Sequence, residues 1–257
     1  MIKVATWNVN SIKARLPNLM EWMKRAAPDV VLLQETKVQD QDFPYLEIEA
    51  MGYRAAVRGQ KTYNGVAILS RFAFVETVAS LPGAPENGEA RYIEALLENG
   101  LRVASIYVPM GQSPQSDRFP FKLAVLDGVH RRARALLTLE EPFVLGGDYN
   151  VAPEPADVYD PEGLDGHILF HPEERRRLRG LLHLGLTDGF RALNGEPHRY
   201  SWWDYRAGAW QRDLGLRIDH LLLSPQAADR LVASGIDRWC RDKDKCSDHA
   251  PVWVEIT

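Results

Sequence analysis

Short apolar runs of strand length alternate along the chain with segments whose apolar residues recur every three or four positions. The opening run, Met1-Ile2-Lys3-Val4-Ala5-Thr6-Trp7, reads as a strand. Leu19, Trp22, Met23 and Ala26 then follow at helical spacing, with Pro17 suited to a first turn and Pro28 ending the helix. Val30-Val31-Leu32-Leu33 predicts a buried strand. Further strands are expected over 65–70, 92–97, 101–108, 143–147, 218–223 and 251–256. The segments 121–139 and 173–184 carry apolar residues at helical spacing with arginines opposite. Arg131, Arg132, Arg134 and Arg175 to Arg177 are therefore expected on solvated helix faces rather than in a nucleic-acid footprint. No repeat, low-complexity tract or linker interrupts the alternation, so the expectation is one domain over residues 1–257, of α/β or α+β class.

Composition narrows this picture only a little. A chain of 257 residues can bury a large core. Its net charge of −4 weighs against a broad basic surface for phosphates, but a metal site made of carboxylates also carries negative charge. Cys240 and Cys246 are too few for a disulfide framework and lack zinc-ligand spacing, so both are expected as free thiols. The N-terminus shows no basic leader followed by an apolar run, and no uncharged apolar stretch approaches the roughly 20 residues that span a bilayer. A cytoplasmic protein with no membrane partner is expected.

More informative is where unusual polar residues fall. Asn8 and Asn10 end the first strand, Gln34 and Glu35 the second, Tyr107 another, and Asp148 and Asn150 follow the run from Phe143. Asp219 opens a strand, and Ser247-Asp248-His249 leads straight into the last one. Where neighbouring strands run antiparallel, the exit end of one lies beside the entry end of the next. These groups are thus expected to share one rim. Taken singly, each has a plainer explanation: Asn-x-Asn as a turn, Glu35 as a surface carboxylate, Gly146-Gly147-Asp148 as a strand-to-loop turn. Taken together, several carboxylates and carboxamides with one His and one Tyr suit a hard, oxygen-preferring cation and an anionic substrate.

The motif series resembles one known family. Thr6-Trp7-Asn8-Val9-Asn10-Ser11-Ile12, Leu33-Gln34-Glu35-Thr36-Lys37, Tyr107-Val108-Pro109, Gly147-Asp148-Tyr149-Asn150-Val151-Ala152-Pro153, Arg217-Ile218-Asp219-His220 and Ser247-Asp248-His249-Ala250-Pro251 are similar, in order, to the motifs of exonuclease III. That family of bacterial apurinic/apyrimidinic (AP) endonucleases lies within the endonuclease/exonuclease/phosphatase superfamily. Single motifs are shared across the superfamily. Asn64 to Ser70, Thr187 to Arg191 and Tyr200 to Arg206 resemble the abasic-endonuclease branch.

The resemblance implies a four-layer α/β/β/α sandwich and an Mg²⁺-dependent DNA repair phosphodiesterase, with Mn²⁺ as the alternative metal. It implies incision 5′ to abasic sites, 3′-5′ exonuclease action and removal of 3′-blocking groups on double-stranded DNA, by a monomer. Carried over by position, Glu35 holds the metal, with Asn8, Asp248, Asp148 and Asn150 around it. Asp148 activates water, Asn150 fixes Asp148 and the phosphate, Asp219 pairs with His249, and Tyr107 adds a hydroxyl contact. Asn10, Trp202, Arg206, Leu216 and Arg217 are implied on the substrate side, and Arg212 is a further candidate phosphate contact.

Four positions depart from the family pattern: Met110 for Asn, Leu216 for Trp, Asp213 for Asn and Cys246 for Pro. None removes a charged site residue, so hydrolysis is expected to survive while substrate preference is open to change. Trp202 and Trp203 also have a simple alternative, core packing of at least one of them. Two rival functions remain at this level: a phosphatase or phosphodiesterase of the same superfamily acting on lipid or small phosphoesters, and a non-catalytic DNA-binding module.

Overall fold

The computed structural model describes residues 1–85 and 88–257. Along the chain the strands are β1 (Ile2–Asn8), β2 (Val30–Gln34), β3 (Arg54–Arg58), β4 (Val66–Ser70), β5 (Phe74–Val78), β6 (Tyr92–Leu97) and β7 (Arg102–Tyr107). They continue as β8 (Phe143–Asp148), β9 (Thr187–Asp188), β10 (Trp202–Trp203), β11 (Gly215–Leu216), β12 (Asp219–Leu223), β13 (Leu231–Ile236) and β14 (Val252–Ile256). The α-helices are α1 (Ile12–Ala26), α2 (Tyr45–Glu49), α3 (Arg118–Leu137), α4 (Pro161–Leu164), α5 (Pro172–His183) and α6 (Pro225–Ala228).

Two six-stranded mixed sheets form, ordered β13-β14-β1-β2-β4-β3 and β5-β6-β7-β8-β12-β9. Between them lies a core drawn from both, including Val4, Val30, Leu32 and Ile68 from one sheet and Ile93, Val103, Val144 and Leu221 from the other. Leu19 and Trp22 of α1 pack outside the first sheet against Trp7, Val31 and Leu33. Outside the second, Leu126 and Val129 of α3 and Leu178 and Leu181 of α5 cover Ala104, Phe143 and Leu145. This is the expected four-layer sandwich. The central strands are buried on both faces, which is why they read as unbroken apolar runs rather than alternating ones. At Gly146 the sheets approach so closely that a Cβ would lie 2.5 Å from both Leu32 and Leu221.

Most predicted strands and helices are displaced by only one to three residues, but some expectations are corrected. Pro17 sits inside α1, because Ser11 caps the helix a full turn earlier, its Oγ accepting from Ala14 N at 3.4 Å. The helix ends as expected, on a left-handed Ala27 just before Pro28. Strands β3, β5 and β13 were not legible. They lie at sheet edges, most of their positions stay partly or fully exposed, and no apolar run in them exceeds three residues. Arg132 is not on a solvated face: it bends onto the fully buried Glu94, donating through Nε at 2.9 Å and Nη2 at 2.6 Å. Arg177 joins α5 to α3 through Asp127 at 3.0 Å, and Arg175 lies over the Phe170 ring, whereas Arg176 stays exposed. No helix among the described residues is long and apolar enough to cross a membrane.

Candidate active site at one rim of the two sheets

Strand register brings the polar groups together. β1 and β2 run parallel and end side by side, with Asn8 opposite Gln34. β7 and β8 do the same in the other sheet, with Tyr107 opposite Asp148, and antiparallel β12 places Asp219 opposite Asp148 on its other side. The segment entering β14 runs antiparallel to β1, so Ser247, Asp248 and His249 arrive beside Asn8, where Ser247 Oγ donates to Asn8 O at 2.6 Å. The exit of four strands beside the entry of two is the shared rim that the sequence suggested.

At its centre His249 is held between two carboxylates. Its Nδ1 lies 2.9 Å from Asp219 Oδ2, and its Nε2 3.7 Å from Asp148 Oδ2. Ser201 donates to Asp219 Oδ2 at 2.6 Å, and its own oxygen accepts the Ile218 and Asp219 N–H groups at 3.1 Å. Burial disfavours an imidazolium here, but Asp219 and then Asp148 outweigh it and push His249 up to about 10. Burial also pushes Asp148 above the ordinary carboxylate range; the His249 charge opposes this and Asp219 reinforces it. Asp148 rises despite a cationic neighbour because burial outweighs the His249 charge and the Asp219 charge adds to it. The set is therefore an imidazolium with a proton on each nitrogen, next to a carboxylate of unusually high basicity.

Asn8 links the two sheets chemically. Its amide nitrogen donates to Glu35 Oε1 at 2.8 Å and to Asp148 Oδ2 at 2.9 Å, while its oxygen accepts Asn10 N–H at 3.0 Å. Its amide nitrogen thus serves the two carboxylates, and its oxygen is turned to the Asn10 N–H. Burial raises Glu35, but Lys37, Asn8 and His249 more than compensate and hold the carboxyl below its usual range. Lys37 Nζ lies 2.8 Å from Glu35 Oε2 and also reaches Asn10 Oδ1. Tyr107 is raised well above its ordinary value by burial and by the neighbouring Glu35 and Asp148 carboxylates, so its hydroxyl keeps its proton.

Asn150, left-handed at φ +51°, clasps Asp148: its N–H donates to Oδ1 at 2.9 Å and its Nδ2 to Oδ2 at 3.3 Å. Asp248 accepts Asn10 Nδ2 at 3.1 Å and Trp202 Nε1 at 3.0 Å. The rim thus presents oxygen donors on Glu35, Asp148, Asp219 and Asp248 with a single imidazole. Asp148, Asp219 and His249 each place a ligand atom within 4.8 Å of the others, an acidic candidate metal site. This donor chemistry fits a hard divalent cation better than zinc.

The substrate-side residues divide. Trp202 is half-buried at the rim, paired across a bridge to His249, whereas Trp203 is fully buried against Tyr200 and Trp210. Leu216 is buried beneath Trp202, its partner in the small β10–β11 ribbon. Arg206 is exposed, and among the described residues its side chain is tied only to Asp204. Arg217 does not face substrate. It is fully buried, with Nε 2.7 Å from Asp157 and Nη1 2.8 Å from Asp188, so no surface is left for a phosphate. Two departures acquire local roles: Asp213 accepts from Trp203 Nε1 and Arg238, and Cys246 Sγ accepts from Arg241 at 2.8 Å, whereas the Met110 side chain is exposed and only its backbone carbonyl is engaged, by Lys122. Both cysteines are free. Sequence reasoning missed Ser201, Lys37 and Lys122. Only Lys122 left a signal, a charge on the apolar face of α3 in phase with Val125, Leu126 and Val129.

Comparison with known proteins fits this geometry. Residues 5–249 match the Endonuclease/Exonuclease/phosphatase family. The chain is 34% identical to the exodeoxyribonuclease III of Haemophilus influenzae over 266 aligned positions, covering 99% of this chain and all of that protein. It superimposes with a TM-score of 0.97 on a 3′ phosphatase, NExo, from Neisseria bound to a product DNA hairpin, at 39% identity and full coverage of both chains. An AP endonuclease from Archaeoglobus fulgidus gives a TM-score of 0.94 at 36% identity, covering 100% of this chain and 99% of that one.

Proposed function

Because the chain belongs to the Endonuclease/Exonuclease/phosphatase family, we propose that it is a Mg²⁺-dependent DNA repair phosphodiesterase acting on abasic sites and blocked 3′ ends of double-stranded DNA. Homology makes it a nuclease hydrolase of the exodeoxyribonuclease III and AP endonuclease type. It would act as a monomer in the cytoplasm. One observation carries the proposal: the buried Asp219–His249 pair faces a basic Asp148, and a single amide, Asn8, joins Asp148 to the ionised Glu35 of the other sheet.

Hydrolysis needs a nucleophile, a neutralised phosphate and a protonated or shielded leaving oxygen. Asp148, kept basic by burial, takes the proton of the attacking water, and Asn150 holds the carboxylate in place while it does so. Asp219 keeps His249 charged, so that its Nε2–H donates to a phosphoryl oxygen as negative charge grows there. Tyr107, its hydroxyl still protonated, donates a hydrogen bond to the same phosphate. Glu35 would hold the divalent cation, with Asp248 and the rim oxygens near it. When bound, that cation supplies charge neutralisation at the phosphate and the leaving oxygen. The attack is in line at phosphorus, and the leaving group is the DNA 3′-hydroxyl in both reactions: the 3′-oxygen on the 5′ side of an abasic sugar, or the terminal 3′-oxygen from which a blocking phosphate is released as inorganic phosphate. Half-buried Trp202 above Leu216 gives the sugar an apolar wall.

The test is cleavage of labelled duplexes, one with a stable abasic analogue and one with a nick bearing a 3′-phosphate, beside an intact duplex, with Mg²⁺ or EDTA. Metal-dependent incision 5′ to the lesion or release of the 3′-phosphate, lost in Asp148→Asn and His249→Asn, supports the reading. Cleavage of a lipid or small phosphodiester with all duplexes intact would transfer the same chemistry to another substrate class. Binding of DNA without hydrolysis would leave a binding module.

A further inference from the structure

Lys122 lies on the face of α3 that carries Val125, Leu126 and Val129 into the core. Its side chain is fully buried, as is that of Glu174 on α5. An ammonium has three N–H donors, and each of these has an acceptor: Glu174 Oε1 at 2.5 Å, Asn150 O at 2.7 Å and Met110 O at 3.1 Å. Glu174 is anchored in turn, its second oxygen accepting His171 N at 3.1 Å to close the first turn of α5. Burial pulls the Lys122 ammonium below its ordinary range, with Glu174 opposing.

The two carbonyls belong to different loops. Met110 follows Tyr107 at the end of β7, and Asn150 follows Asp148 at the end of the parallel neighbour β8. Asn150 is the residue whose N–H and side-chain amide fix both oxygens of Asp148, and the same amide donates to Val108 O at 2.9 Å. The Met110 loop wraps the lysine stem so tightly that a Cβ on Gly111 would lie 3.0 Å from Lys122 Cδ.

Stability does not explain this arrangement, since buried ion pairs are commonly replaced by apolar side chains at no cost or with a gain. We propose that Lys122, backed by Glu174, is a positioning residue that ties the Tyr107 loop to the Asp148–Asn150 loop and so keeps the phosphate contact and the base in register. This role rests on the reading of the rim as a phosphodiesterase site. Displacement of a reacting group by about 1 Å costs as much as ~10²-fold in rate, so the expected signature is in kcat rather than KM.

Three variants separate positioning from scaffolding: Lys122→Met, Glu174→Gln and the double variant, each measured for Tm and for kcat and KM on the two lesion duplexes with Mg²⁺. Lys122→Met leaves Glu174 as an unpaired buried charge and lowers both Tm and kcat. Glu174→Gln leaves one acceptor for the His171 N–H and the Lys122 ammonium together and removes the counter-charge while both Lys122–carbonyl bonds can persist, so Tm falls and kcat falls less than in Lys122→Met. The double variant removes both charges: Tm recovers, but kcat stays down by roughly 10- to 100-fold with KM within about twofold. Recovery of kcat together with Tm would overturn the role, as would loss appearing only in KM. An inert wild-type protein would instead overturn the functional reading, and this role with it.

Discussion

Two clusters, linked through Arg217 and Asp219 two positions apart in the chain, have the same outline and different proton chemistry. In one, Asp219 and Asp148 flank His249; in the other, Asp157 and Asp188 flank Arg217, two residues before Asp219. Both are buried, and both place one cation between two carboxylates. A guanidinium carries several fixed N–H donors and does not titrate, so Arg217 meets each carboxylate directly and its partners are held below the ordinary range. An imidazolium has two donors and can lose one proton. It serves Asp219 at close range and leaves Asp148 at 3.7 Å, where burial raises that carboxyl instead. The first arrangement locks charge in place. The second leaves a proton free to move, which is what a hydrolytic site needs.

The largest effect that would break this contrast is loss of chemistry without loss of fold. Asp148→Asn and His249→Asn are expected to lower kcat by about 10³-fold or more, in the range for removal of a general base or a charge-stabilising donor. Asp148 is held in an environment that disfavours its ionised form, so Asp148→Asn should leave Tm unchanged or higher near neutral pH. Single-turnover cleavage beside a melting curve checks both. A cooperative loss of Tm with activity would mean that the pair is a structural cluster like its neighbour.

Arg217→Met should behave in the opposite way. It strands two buried carboxylates, and breaking such a group costs about 3–5 kcal/mol, or a fall in Tm of roughly 10 °C for a chain of this size. Assayed well below the lowered Tm, its kcat should stay within an order of magnitude of wild type. If kcat instead dropped as far as in the Asp148 variant with Tm intact, Arg217 would return to the substrate side.

The comparison also explains which features were legible in sequence. Glu35, Asp148, Asp219 and His249 lie where strands enter or leave the core, so each interrupts an apolar run and register does the rest. Arg217 breaks the same pattern two residues before Asp219, and nothing local distinguishes it. Its partner Asp157 is 60 residues away, in a turn whose burial depends on tertiary packing. The bridge that Asn8 makes between Glu35 and Asp148 was not legible, because it depends on an amide orientation set by the Asn10 N–H, a detail of loop geometry that composition does not carry. Edge strands β5 and β13 escaped for the complementary reason, that no apolar run in them exceeds three residues and most of their positions stay partly or fully exposed.

A pH titration sharpens the contrast with a smaller signal. His249 is raised in the fold to about 10, so the stability it contributes is whole below its ordinary value of about 6.5 and fades as pH rises towards 10. Asp157 and Asp188 are depressed, so their contribution is whole above the ordinary carboxylate value of about 3.9 and is lost only as pH falls through their lowered values. The Tm gap between wild type and His249→Asn should therefore shrink from pH 6.5 to 10, while the gap to Arg217→Met stays flat over that interval and closes only in acid. Parallel gaps across the alkaline range would show that His249 is not held charged.

The smallest effect tests the surface against both buried clusters. Arg206 is the exposed arginine near the rim, held only by Asp204, and solvent screens such a pair. Arg206→Ala should leave Tm within about 1 °C and kcat unchanged, since surface substitutions of this kind stay within roughly ±0.5 kcal/mol. If Arg206 touches a phosphate, its removal lowers the slope of log affinity against log salt by about 0.9 on every duplex alike, damaged or intact. An unchanged slope would remove Arg206 from the substrate side as burial removed Arg217. DNA would then be held by the metal, the rim hydrogen bonds and the Trp202 face, a footprint small enough for a chain of net charge −4 to release undamaged duplex readily.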